Sequence, residues 1–191
     1  MTDKELKELV ASLAVSQKEL SIAQKETDKQ IELTNKQINQ TNKQLGELGN
    51  KWGTFTEGMA VNSIEKILLD KFKIPAVARN FRKTLNGETI VIDMFGYENS
   101  AINTAVIVEV KSHLKDDSIE QIEETMKNFP KFFPDHANKK LYGIIACVHA
   151  PESLQNVLRK KGIYLAVLND DTFKLHTFKN FIPTDFSQKR A

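Results

Sequence analysis

Along the first fifty residues the candidate core positions recur at alternating steps of four and three. They are Leu6, Val10, Leu13, Gln17, Leu20, Gln24, Thr27, Ile31, Thr34, Ile38, Thr41, Leu45, Leu48 and Trp52, with no slip of register. A seven-residue period keeps one stripe of a helix turned toward a partner, which predicts a left-handed coiled coil. The repeat is also literal. Thr27 to Leu33 (TDKQIEL), Thr34 to Gln40 (TNKQINQ) and Thr41 to Glu47 (TNKQLGE) are three copies of one heptad. With Val10, Ile31, Ile38 and Leu45 at position a, Thr27, Thr34 and Thr41 fall at d, and Gln17 and Gln24 set amides in the seam. So weak a stripe does not stabilise a lone helix. Other copies of the chain are expected to supply the second face, the alternative being a rod that packs back on its own domain. The flanking positions are mostly Asn, Gln, Ser and Ala, so dimer, trimer and tetramer all remain open. Gly46, Gly49 and Gly53 follow, each weakening a helix by roughly 1 kcal/mol relative to Ala, and they predict a hinge near 46–53.

Beyond the glycines the pattern changes to alternating helix and strand. Thr54 to Phe72 carries Phe55, Met59, Ile64, Ile67, Leu68 and Phe72 at helical spacing, with Pro75 marking its end and a break expected near Val61. Ala76 to Arg82, Thr89 to Gly96 and Thr104 to Lys111 read as strands, the first two joined through Asn86-Gly87, a strong hairpin turn. From Ser118 to Phe129 the residues Ile119, Ile122, Met126 and Phe129 share a helical face, and Pro130 and Pro134 are expected to close it. Leu141 to Val148 is a nearly unbroken apolar run, as in a strand covered on both faces. A helix from Pro151 to Gly162, a strand from Ile163 to Leu168 and an edge strand from Thr172 to Phe178 complete the order. The fold class is therefore α/β: an N-terminal coiled-coil helix, then a mixed sheet flanked by helices. Residues 1–50 form an oligomerisation helix and 51–191 one globular domain.

Composition refines this picture only slightly. Residues 1–50 hold 7 lysines and 8 acidic residues, leaving 20 basic against 17 acidic residues in the remainder. So mild an excess suits a local nucleic-acid contact and excludes a dedicated DNA coater. The single Cys147 cannot form an internal disulfide and sits in an apolar run, as expected in a reducing compartment. No long apolar run and no secretory leader are present, so a soluble, cytoplasmic protein without membrane contact is expected.

Charge interrupts two of the apolar strands. In T-I-V-I-D-M-F-G, Asp93 lies among Ile90, Val91, Ile92, Met94 and Phe95. In V-I-V-E-V-K, the strand period sends Val106, Val108 and Val110 to one face and Ile107, Glu109 and Lys111 to the other. If the strands pair, Asp93 approaches Glu109, and two crowded carboxylates repel unless a cation or proton lies between them. Mg²⁺, or Mn²⁺, suits such oxygen ligands, with the Val110 carbonyl completing the shell. Lys111 would orient the attacking water or neutralise charge on a phosphate. Taken alone, E-x-K occurs by chance in many proteins, and an ordinary surface ion pair is the competing account.

Ile92-Asp93, fifteen intervening residues and Glu109-Val110-Lys111 together resemble the PD-(D/E)XK nuclease superfamily. Ile92 stands where some members carry proline, a change that removes no ligand. The order α-β-β-β-α-β from Thr54 to Val148 resembles that superfamily's restriction-endonuclease-like core, and the heptad leader is similar to that of uncharacterised bacterial members. The resemblance implies an Mg²⁺-dependent endo- or exodeoxyribonuclease acting on DNA, with Asp93, Glu109 and Val110 as metal ligands and Lys111 as a catalytic group. It also implies a further acid from the first core helix: Glu57 in W-G-x-F-x-E, with Glu65 as the alternative. Gln121 is a candidate accessory group near substrate.

The histidines His113, His136, His149 and His176 show no metal-ligand spacing and read as surface or loop residues. Asp116 and Asp117, with Ser118 as cap, suit a helix start. The basic sets Arg79, Arg82 and Lys83, Lys139 and Lys140, and Arg159 to Lys161 are solvated by default; any that borders the site would grip a phosphate backbone without reading sequence. The competing function is a non-catalytic coiled-coil scaffold whose domain binds nucleic acid or protein through a degenerate nuclease fold.

Overall fold

The computed structural model describes residues 2–188, excluding the side chains of residues 5, 8–11 and 50, so the seam position Val10 lies outside the described side chains. Two compact units divide the chain after Asn50. The first contains only helix, part of α1 (Asp3–Phe72). Its stripe is uncovered: Leu13, Leu20, Ile31, Ile38 and Leu45 are each at least half exposed. Thr27 and Thr34 donate their hydroxyls to the carbonyls of Ala23 and Gln30 at 2.9 and 2.8 Å, one turn back. The helix continues through Gly46, Gly49 and Gly53 and, against the expected break, past Val61. The glycines cost helix propensity but do not end the element, because each still makes the backbone bonds of a helix.

In the second unit, the last part of α1 places Ala60, Ile64, Leu68 and Phe72 one turn apart on a single buried face. Lys73 then takes a left-handed φ of 59° and the helix stops short of Pro75. The strands β1 (Val77–Leu85), β2 (Glu88–Glu98), β3 (Thr104–His113), β4 (Lys140–His149), β5 (Tyr164–Asn169) and β6 (Thr172–Leu175) form one sheet in chain order. The β3–β4 and β4–β5 pairs are parallel and the other three antiparallel, so the sheet is mixed. Asn86 and Gly87, with φ of 51° and 82°, make the β1–β2 turn, since a tight hairpin of this hand needs two left-handed residues.

Helices α2 (Asp116–Phe132) and α3 (Glu152–Lys161) connect the parallel strands. One core layer joins α1 to Met94, Val106, Val108, Val110, Ile144 and Ala146 on one face of the sheet. The other joins Ile119, Ile122, Met126 and Phe129 of α2 and Leu158 of α3 to Ile92, Ile107 and Ile145 on the opposite face. The expected alternation of β3 is thus observed. Gly143 allows α2 to approach closely, because a Cβ there would meet Met126 Sδ at 2.8 Å and Ile122 Cδ1 at 3.2 Å.

Three local expectations need correction. Pro130 lies inside α2, which runs on to Phe132. Lys115, not Ser118, occupies the N-cap, and no side chain caps the helix; Asp116 and Asp117 sit in its first turn, where they favour the helix dipole. The last strand is also shorter than expected, ending at Leu175. Among the described residues no helix is long and apolar enough to cross a membrane.

Candidate functional site

The β2–β3 ladder ends with Met94 opposite Val108. One residue further along, the backbone pairing gives way to a side chain: Val110 N–H donates to Asp93 Oδ2 at 2.7 Å. A donor that faces β2 is thereby satisfied by a carboxylate where no carbonyl is supplied. The alternation of β2 slips at the same point, since Ile90 and Ile92 pack in the α2 layer while Met94 packs in the α1 layer. That slip explains how an ionisable residue is accommodated in an apolar strand. Asp93 sits at the crossing between the faces, half-buried, and belongs to neither core.

Glu109, on the α2 side of β3, has only 2% of its side chain exposed. Lys111 Nζ and Gln121 Nε2 both donate to its Oε1 at 2.6 Å. Its other oxygen, Oε2, is buried without a hydrogen-bond partner among the described residues. Burial raises the Glu109 pKa above its ordinary value, the Asp93 charge adds to the rise, and Lys111 and Gln121 oppose it. An unpartnered buried carboxylate oxygen costs at least ~1–3 kcal/mol. A purely structural ion pair gains nothing from leaving it so, and such costs concentrate at functional sites.

Glu57 reaches the same region from α1. Burial raises its pKa first and Asp93 second, while Lys111 lowers it, so it lies within the field of both. With Asp93, Val110, Arg79 and Asn80 it lines a cavity of about 250 Å³. Glu65, the alternative acid, is engaged elsewhere: Arg79 Nε donates to its Oε1 at 2.9 Å. The structure therefore groups Asp93, Glu109, Val110, Lys111, Gln121 and Glu57, and leaves Glu65 apart. Thr56 and Ser112 tie α1 to β3 beside them, with their hydroxyls 3.3 Å apart. Asn80 carries no sequence signal of function, because its relation to Asp93 exists only once β1 and β2 are paired.

The donor set is hard oxygen, as a divalent cation such as Mg²⁺ prefers, and the orphaned Glu109 Oε2 supplies an unused lone pair. Asp93 and Glu109 could hold such an ion, with water and substrate completing its shell. They do not fit an all-protein cage, for among the described residues no three His, Cys, Asp or Glu side chains are grouped to hold a metal.

The basic and histidine expectations divide. Lys139 is buried, not solvated, donating to Asn103 Oδ1 at 3.0 Å and to the Glu98 carbonyl at 3.2 Å. Lys83 donates to the Phe132 carbonyl and Lys161 binds Glu123. His136 is no simple surface residue. Its Nδ1 is buried without a hydrogen bond among the described residues, its ring lies against Tyr97 at 4.4 Å, and burial lowers its pKa. His113 and His149 are exposed on paired strands, with ring centres 6.1 Å apart.

A family model described as "Domain of unknown function (DUF8196)" matches residues 62–175. The chain belongs to the DUF8196 family. The DUF8196 match includes Asp93, Glu109, Lys111 and Gln121, whereas Glu57 precedes it. A second model, "Protein of unknown function (DUF3782)", matches residues 7–90, which include Glu57 and the heptads from Val10 onward. No curated protein matches the chain. Among solved structures, it is similar to a repair endonuclease from Pyrococcus abyssi, with 13% identity and a TM-score of 0.39 over 58% of this chain and 47% of that one. The EndoMS–dsDNA2 complex is similar at 15% identity and a TM-score of 0.37, over 58% of this chain and 45% of that one. EndoMS in apo form gives 16% and 0.35, over 56% and 44% respectively. This DUF8196 chain thus spans less than half the length of each of these three proteins.

Proposed function

We propose that the chain is a divalent-metal-dependent nuclease, hydrolysing phosphodiester bonds of DNA, and that residues 1–50 assemble it into a homo-oligomer. The observation that carries this reading is the buried Glu109, whose Oε1 is held by Lys111 and Gln121 while Oε2 has no partner among the described residues. The resemblance of Ile92-Asp93 and Glu109-Val110-Lys111 to PD-(D/E)XK nucleases supports it. The literal heptad repeat and its uncovered apolar stripe support the assembly.

Asp93 and Glu109 would hold the ion, with the Val110 carbonyl beside them. A bound Mg²⁺ or Mn²⁺ supplies a nucleophilic water at neutral pH and neutralises a phosphoryl oxygen. Glu109 must be ionised for this, and its raised pKa means that acid suppresses activity by protonating it. Lys111, bonded to Glu109 and about 29% exposed, can face both that carboxylate and an incoming phosphate. It positions the attacking water and balances charge developing on the phosphate. Gln121 fixes the Glu109 carboxylate from α2, so that Oε2 keeps one orientation. Glu57, with a pKa raised by burial and by Asp93, holds a proton more readily than an ordinary carboxyl.

Purified full-length protein should cut a DNA substrate with Mg²⁺ or Mn²⁺, and Glu109→Ala or Lys111→Ala should each reduce the rate by at least ~100-fold without unfolding the domain. Equal residual cutting by both variants would mark a contaminant and overturn the enzyme reading. A second reading, a non-catalytic coiled-coil scaffold, draws on the literal heptad repeat and its uncovered apolar stripe. It predicts nucleic-acid or protein binding that is indifferent to Glu109→Ala.

A further inference from the structure

The β1–β2 ladder pairs Arg79 with Met94 and Phe81 with Ile92, and the position it omits is Asn80 opposite Asp93. Asn80 has a φ of 47°, in the left-handed region, in the middle of a strand. Both strands change faces at this point. Val77 packs in the α1 layer while Phe81 and Leu85 pack in the α2 layer, matching the slip between Ile92 and Met94. A left-handed residue within a strand is a local cost that persists only where the surrounding structure imposes it, and such costs gather at functional sites.

The hairpin core needs no side chain at Asn80. The residue is exposed on an edge strand, yet it lines the cavity shared with Glu57, Asp93 and Val110. Arg79, the adjacent cation, is occupied by Glu65. A carboxamide therefore stands as an uncharged donor in a cavity bordered by two acids. It can bond a phosphate oxygen without displacing a cation from those acids, as a lysine or arginine there could.

We propose that Asn80 is a substrate-binding residue, whose carboxamide N–H donates to a phosphate oxygen of the nucleic-acid backbone entering this cavity. The proposal rests on the nuclease reading of the site. The competing account is that asparagine is present only because it tolerates a left-handed φ better than other side-chain-bearing residues. Glycine separates the two, since it adopts that φ freely and lacks the carboxamide.

Steady-state cleavage by Asn80→Gly and Asn80→Asp, compared with the unaltered chain in Mn²⁺, tests the proposal. Asn80→Gly should keep its thermal midpoint and its kcat while KM rises about 10- to 100-fold, the range for a lost hydrogen bond to a charged group. Asn80→Asp, which retains tolerance of the backbone angle but brings a like charge toward phosphate, should lose at least as much. Wild-type KM in either variant overturns the proposal. No cleavage by the unaltered chain overturns the nuclease reading and this proposal with it, an outcome distinct from active enzyme with an indifferent Asn80.

Discussion

The two units of the chain use similar apolar residues to opposite ends. In the first, Ile31, Ile38 and Leu45 are 54%, 50% and 60% exposed; in the second, Ile64, Leu68 and Ile144 are at 0%. Each large apolar side chain withdrawn from water contributes ~1.5–3 kcal/mol. The domain realises that gain within one chain, whereas the heptad stripe stays exposed, as the proposed assembly requires. The threonines sharpen the contrast. Thr27 and Thr34 spend their hydroxyls on their own helix, so each can present a methyl to a seam without stranding a polar group.

The largest expected difference lies in the cores. Phe129→Ala removes a ring buried to 1% exposure between Phe95 and Phe133 and should cost about 3–5 kcal/mol in denaturant unfolding of the domain. Ile38→Ala should leave that transition unmoved and lower the associated mass instead. An equal shift of the domain transition by both changes would dissolve the distinction.

Assembly gives the next test. Removing residues 1–50 should yield a monomer by sedimentation while the full chain sediments as an oligomer. A monomeric full chain at micromolar concentration would contradict the partner reading of the heptads.

A smaller effect concerns pH. Glu109 has its folded pKa raised above 4.5, so its contribution to stability is complete below that value and is lost as pH rises through the raised one. His136, with its folded pKa lowered from 6.5, has the opposite sense: its contribution is present above 6.5 and lost on acidification. The difference in melting temperature between Glu109→Gln and the unaltered, metal-free chain isolates the first group. It should widen in favour of the glutamine variant from pH 4.5 toward neutrality, and Mg²⁺ should raise the melting temperature of the unaltered chain alone. Parallel pH curves would remove the electrostatic basis of the site.

The smallest change is Gly49→Ala. Among the described residues nothing lies within 4 Å of a Cβ placed there, so the helix should gain about 1 kcal/mol, visible as helical circular dichroism retained to a higher temperature.

What could be read from the sequence depended on the range of the contacts concerned. The parity of Val106 to Lys111 is a local property of a strand, and it put Glu109 beside Lys111 without reference to any other element. The Asn86-Gly87 turn was equally local. Asp93 was conspicuous as a charge among aliphatic residues, but the face change that accommodates it requires β1 and β2 together. Gln121 bonds Glu109 across twelve positions, and nothing in its own helix distinguishes it from a surface glutamine. Lys139 reads as solvated in sequence because its partners, Asn103 and the Glu98 carbonyl, come from the β2–β3 turn, 36 and 41 positions away. Pro130 misled for a different reason. A proline usually ends a helix, yet here α2 continues one further half-turn and its last residues bury Phe132.

Cys147 is the chain's only thiol, sealed at 0% exposure in the central strand β4, with burial pushing its pKa up to about 12. Reaction with an alkylating reagent requires both access and the thiolate, and the native fold withholds both. Its modification rate at neutral pH is therefore a clock for the opening of the middle of the sheet. The chain carries a native chemical stopwatch, read by mass alone, against which slower or faster breathing in the presence of a bound ion can be timed.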